Sequence, residues 1–122
     1  MVLAKDVIGK YYYSLNQKDN GWQGLYSDDA VFSDASQTLN AIGKPAVIQS
    51  FVPFLKGVAG VNVKQMIVDG EDVCAIVGYE YINSKGNKMN QDVAEVWKVR
   101  GEKLATLIIY IDLTAYRAFM RG

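Results

Sequence analysis

The side chains able to do chemistry in this chain are carboxylates, tyrosines and lysines, because it contains no histidine. That absence excludes histidine triads, imidazole acid/base catalysis and histidine zinc sites together. The stretch YSDDAVFSDA, Tyr26 to Ala35, places Asp28, Asp29 and Asp34 around the apolar pair Val31 and Phe32. Asp34 either closes a turn through its own backbone, as aspartate does well, or aims a carboxylate into a pocket. Spacing alone does not separate the two. Asp28 and Asp29 read as solvated residues at the end of a helix.

Glu95 is a second candidate. In a strand over 92–100, side chains alternate between faces, so Val93, Glu95, Trp97 and Val99 share one face and Asp92, Ala94, Val96, Lys98 and Arg100 the other. A carboxyl between Val93 and Trp97 is partly desolvated, which raises its pKa and lets it stay protonated as a hydrogen-bond donor. The competing reading is a carboxylate paired with a lysine across the strand or lying at a wet sheet edge. Asp112, just before Leu113 and Thr114, is either an acid or the cap of a last helical turn. Tyr11 lies on an apolar helix stripe, where the default is a core role with its hydroxyl satisfied.

Several elements must position these groups. Leu3, Val7, Tyr11 and Leu15 recur every four residues, with Ile8 and Tyr12 alongside, and predict an amphipathic helix over the first seventeen or so residues. Lys18 to Gly21 breaks it. Trp22, Leu25 and Tyr26 form a short second helical face, Ala30 to Ser33 a short strand, and Ala35 to Asn40 a polar loop. Gly43, Lys44 and Pro45 open a third helix with the buried stripe Val47, Phe51 and Leu55, and Pro53 should kink it or end it early. Four β-rich runs follow, Val61 to Val68, Val73 to Ile82, Met89 to Val99 and Leu104 to Asp112. The turn signals Asp69-Gly70, Ser84-Lys85-Gly86-Asn87 and Arg100-Gly101 make them an antiparallel meander. Thr114 to Met120 reads as a final helical turn.

Helices first and a curved sheet after them make an α+β chain of one domain, residues 1–122. Both alternating sets of the last strand are apolar: Thr106, Ile108 and Tyr110 on one side, Leu107, Ile109 and Ile111 on the other. Helices enough for only one face leave the other for a partner subunit, so a homodimer through the exposed sheet face is expected. Thirteen basic residues balance thirteen acidic ones without a run of either sign, which gives no footprint for nucleic acid or an anionic membrane. No apolar segment approaches the ~20 residues of a membrane span. The lone Cys74 excludes an internal disulfide and a thiolate metal cluster, and fits a reducing, cytoplasmic compartment.

The order of elements and several strings resemble the nuclear-transport-factor-2-like superfamily, on its SnoaL-like and ketosteroid-isomerase-like side. KYYYSLNQKDNGWQGLYSDDAVFSD resembles the opening of those proteins, IGKPAVIQSF their third helix, and AEVWKVRGEKLATLIIYIDLTAYRAFM their closing hairpin and terminal aromatic helix. The likeness spans nearly the whole chain. It implies a cystatin-like cone, N-terminal helices packed on a curved, mostly antiparallel sheet around an apolar pocket. Matched to the ketosteroid isomerases, Tyr11 takes the place of the oxyanion-holding tyrosine and Asp34 that of the proton-shuttling base. Glu95 stands where that family has a protonated aspartic acid, so its reach is longer. Asp112 matches an acid used by SnoaL-type cyclases. The Arg-x-Asp pair of the limonene-epoxide-hydrolase-like members falls on Tyr79 and Tyr81, which argues against epoxide hydrolysis.

The resemblance therefore implies a cofactor-independent, metal-free acid/base catalyst on a small, largely apolar carbonyl compound. Its catalytic groups would be Asp34, Tyr11, Glu95 and Asp112, and its pocket lining Trp22, Phe51, Tyr79, Tyr81, Trp97 and Tyr110. The alternative is a non-catalytic ligand-binding or dimeric assembly domain of the same fold, because one fold hosts both.

Overall fold

A computed structural model describes residues 2–122. The first helix, α1 (Ala4–Gln17), turns Val7, Ile8, Tyr11, Tyr12, Ser14 and Leu15 inward, the pattern its four-residue spacing requires. It ends at Lys18, which takes a left-handed conformation with φ of 60°. A short 3-10 turn over Gly21–Leu25 seats the buried Trp22. Tyr26, expected in that helical face, instead begins the first strand.

Six strands form one sheet: β1 (Tyr26–Asp34), β2 (Asn40–Ile42), β3 (Val58–Asp69), β4 (Asp72–Ile82), β5 (Lys88–Arg100) and β6 (Lys103–Tyr110). Their order across the sheet is β2-β1-β6-β5-β4-β3. The antiparallel meander β3 to β6 is as the turn signals predict, with Gly70 and Gly101 at φ of 60° and 57° in two of the hairpins. β1 is longer than the sequence suggests because it pairs with β6 in parallel, Phe32 beside Leu107 and Asp34 beside Ile109. β2 follows the expected polar loop, sharing only Asn40 with it, and is a strand the sequence did not predict. It is a three-residue edge strand held only by β1, too short to show alternation.

The second helix, α2 (Lys44–Lys56), runs through Pro53 to Gly57 and does not end early. Pro53 falls in its last turn, and the following Phe54 is anchored on Tyr79 and Tyr116, with ring centroids 5.3 and 5.4 Å away. The third helix, α3 (Leu113–Arg121), is longer than one turn, yet none of its residues is fully buried. Asn83 Nδ2 donates to Phe119 O and Lys85 Nζ to Gly122 O. Met120 lies against Gly57, where any Cβ would come within 2.5 Å of its methyl group.

Register irregularities in β3, at Val58/Gly60 and Val63/Gln65, and between Lys98 and Val99 in β5 bend the sheet around the helices. The result is three helices packed on an open, six-stranded, mostly antiparallel sheet, the expected α+β cone. Its core joins α1 and α2 to the inward row Val73, Ala75, Val77, Tyr79 and Tyr81 of β4 and to Val93, Glu95, Trp97 and Val99 of β5. The parity read for β5 holds at all four positions. No helix among the described residues is long and apolar enough to cross a membrane.

Candidate functional site

One cavity of about 320 Å³ opens between α2, α3 and the inner face of the sheet. Aromatic and aliphatic side chains make most of its wall, chiefly Phe32, Phe51, Phe54, Ile109, Ile111 and Tyr116. Glu95, Arg117 and the hydroxyl-bearing Tyr79, Tyr116 and Ser50 are the residues with polar side-chain groups among its lining. An apolar cavity with a few convergent polar groups is the usual form of a small-molecule site.

Glu95 owes its position to the centre of the sheet. β5 is flanked by β4 and β6, so Glu95 faces Ala75 on one side and Ile109 on the other, and it is 2 % exposed. Neither competing reading survives, because the position is far from the sheet edge and no lysine reaches it: the two ion pairs among the described residues are Lys64–Asp92 and Lys98–Asp72. Two phenols hold the carboxyl. Tyr12 donates to Oε1 at 2.5 Å and Tyr79 to Oε2 at 2.8 Å, while Trp97 Nε1 donates to the Tyr12 oxygen at 3.1 Å.

Burial raises the Glu95 pKa to about 7, against the opposing pull of the bonds from Tyr12 and Tyr79. Burial first, and then the charge of Glu95, push Tyr12 and Tyr79 well above the ordinary tyrosine range. Both phenols therefore stay protonated as donors. Near neutrality the carboxyl can take up or release a proton without leaving its place.

The other expected catalytic groups lie elsewhere. Tyr11 is one residue away from the tyrosine that reaches Glu95. Its ring packs on Trp97 at 4.9 Å, and its hydroxyl accepts from Tyr26 at 3.2 Å. Burial followed by the Glu95 charge raises its pKa too. Asp34 shares the Phe32 face of β1 but does not line the cavity. Its carboxylate accepts from Leu39 N at 2.6 Å and from the Ser36 hydroxyl, so it closes the turn into β2. Burial favours the neutral acid there, but bonds from Ser36, the backbone at Leu39 and Asp34, and Thr38 outweigh it and hold the carboxyl below the usual range. Asp112 is exposed and caps α3, accepting from Ala115 N at 3.0 Å.

Of the expected lining, Phe51 and Tyr79 face the cavity. Trp22 and Trp97 are deeper, in the aromatic cluster around Tyr11 and Tyr26. Tyr81 is stacked behind Tyr79 at 5.9 Å, with its hydroxyl donating to Gln91 at 2.8 Å. Tyr110 is 53 % exposed on the outer face, since alternation sends it away from Ile109. Sequence reasoning missed Tyr12 and Arg117. Tyr12 follows Ile8 at the same four-residue spacing that Tyr11 follows Val7, so the signal existed but did not rank the two. Among the described residues, no group of three or more His, Cys, Asp or Glu converges on a metal position.

Residues 8–107 match the model of the SnoaL-like domain, and the chain belongs to that family. No curated protein matches the sequence. Among solved structures, an NTF2-like protein of unknown function from Burkholderia pseudomallei superposes with a TM-score of 0.85 at 13% identity, covering 100% of both chains. TerC, co-crystallised with polyporic acid, gives 0.81 at 15% identity and covers 98% of each chain. A protein from Catenulispora acidiphila with a ketosteroid isomerase-like fold, in complex with trimethylamine, gives 0.76 at 14% identity, covering 95% of this chain and 92% of its own. At these identities the likeness is one of fold.

Proposed function

We propose that this chain is a small-molecule pocket protein that catalyses proton transfer on an apolar carbonyl compound, with Glu95 as the acid/base. One observation carries the reading: a carboxyl on the wall of an apolar cavity, buried without a cation and held only by Tyr12 and Tyr79. As carboxylate, Glu95 takes a proton from the carbon next to the carbonyl. The C–H bond breaks, an O–H bond forms on Glu95, and the electron pair moves onto the carbonyl oxygen as an enolate. Return of that proton to the same or a different carbon completes exchange or isomerisation. Tyr79 is the Glu95-bound phenol that also lines the cavity, and Tyr12, outside the lining, is a positioning residue. In this reading Asp34 and Asp112 are a turn residue and a helix cap, and Tyr11 belongs to the core.

The test is solvent deuterium uptake by a bicyclic ketone such as 2-tetralone, followed by NMR. The protein should accelerate exchange beside the carbonyl, and Glu95→Gln should remove that acceleration. Acceleration that survives Glu95→Gln would refute the assignment. Ligand binding without exchange would favour a binding module.

A second proposal concerns assembly. On the outer face Ile67, Cys74, Val96 and Ile108 lie in register across four strands, and Ile76, Ala94 and Tyr110 form a row beside them. Such a face fits a second copy of the chain in a homodimer. Sedimentation equilibrium should give a dimer that Ile108→Lys dissociates; a monomeric wild type overturns the proposal.

A further inference from the structure

Arg117 is a cation in the lining of an otherwise largely apolar cavity. It stands on α3 beside Tyr116, with Leu113 one turn before it, and all three line the space. It joins neither of the ion pairs among the described residues. The nearest acid along its helix, Asp112, is engaged at the N-terminus with Ala115 N. Arg117 is solvent-exposed at the rim, so a neutral apolar ligand gains nothing from its guanidinium, whereas an anionic group reaching the rim would accept charge-assisted hydrogen bonds from it. Guanidinium also matches a planar carboxylate or a pair of adjacent oxygens bidentately. The rings of Phe32, Phe51, Phe54, Tyr79 and Tyr116 favour a flat body between this end and Glu95.

We infer that the ligand is a planar, mostly apolar organic anion whose acidic group pairs with Arg117 while a carbonyl or hydroxyl faces Glu95. The inference rests on the pocket reading above and adds the ligand's charge and its orientation. Arg117 then sets specificity from the rim.

The experiment compares two isosteric probes, 2-naphthoate and 2-naphthamide, by calorimetry at about pH 6, where the naphthoate is ionised. The native protein should bind naphthoate about ten-fold more tightly, the order expected of one partly exposed charge-assisted contact. Arg117→Gln should erase that preference, weakening naphthoate binding far more than naphthamide binding. Arg121→Gln removes the same charge one turn further along α3 and should leave the preference intact, which separates a local contact from the general field. Equal binding of both probes by the native protein, or a preference that survives Arg117→Gln, overturns the inference and leaves the pocket reading standing. Loss of preference in both arginine variants also overturns it, in favour of the field alone. Binding of neither probe overturns the inference together with the pocket reading.

Discussion

Glu95 and Asp34 are both acidic, both on inward-facing positions of the sheet, and both 2 % exposed, yet their carboxyl groups are driven in opposite directions. Glu95 sits in mid-strand, where every nearby backbone N–H is spent on the ladders to β4 and β6. It receives only two phenolic donors, too few to offset burial. Asp34 sits where β1 ends and the chain turns, and there backbone N–H groups released from the ladder point at the carboxylate. Asp34 also lies close beneath the surface, whereas Glu95 is enclosed in the core, so depth and the local supply of donors together set the state of each acid, and strand ends supply more donors than strand centres.

Activity is where the two sites should differ most. Glu95→Gln keeps shape and removes the titrating proton, so exchange into a competent ketone should fall by about 10²- to 10⁴-fold. Asp34→Asn should stay within a few-fold of the native rate; an Asp34 effect as large as that of Glu95 would break the comparison.

Stability against pH should separate them by sign. Below the unfolded value near 4.5, Glu95 is protonated in both states. From there to about 7 the unfolded carboxyl ionises while the folded one does not, so stability falls as pH rises. The whole loss is of order 3 kcal/mol and is complete once both states are ionised. Urea unfolding across this window should show the slope in the native protein and its absence in Glu95→Gln. Asp34, whose folded pKa is depressed, contributes stability that is present above its unfolded value and lost as pH falls through the folded one. Its variant should flatten the curve on the acid side only.

Removing one phenol sharpens the donor argument. Tyr12→Phe leaves the Trp97 N–H without its acceptor and Glu95 with one donor fewer, so it should cost about 2 kcal/mol and raise the Glu95 pKa further. An NMR titration of the Glu95 carboxyl carbon checks the direction. The smallest effect should be Asp34→Ala, about 1 kcal/mol by denaturant unfolding, because only the turn into β2 loses its closure.

Periodicity determined much of this. The four-residue spacing placed α1 and its inward face, alternation placed Glu95 beside Val93 and Trp97, and the hairpin signals placed the meander. Those features are local, carried by repeat lengths that the backbone geometry imposes. What periodicity left open involved partners distant in the chain. β2 and most of β1 exist because β6 and each other supply their ladders, and α2 continues past Pro53 because Phe54 finds Tyr79 and Tyr116. The choice between Tyr11 and Tyr12 is of the same kind. Both lie on the buried side of α1, and only the crossing of that helix over β5 brings Tyr12, 83 positions away in the chain, onto Glu95.

From the sequence follow the α+β class, the absence of imidazole chemistry, a glutamate on the more apolar face of its strand and, through the family resemblance, the cone. Tertiary structure decided which carboxyl remains an acid near neutral pH, which tyrosine holds it, and that Arg117 stands at the rim. The physical reason is that a side chain's direction follows from local backbone repeat, while its protonation and partners follow from the donors, charges and solvent that distant segments bring to it.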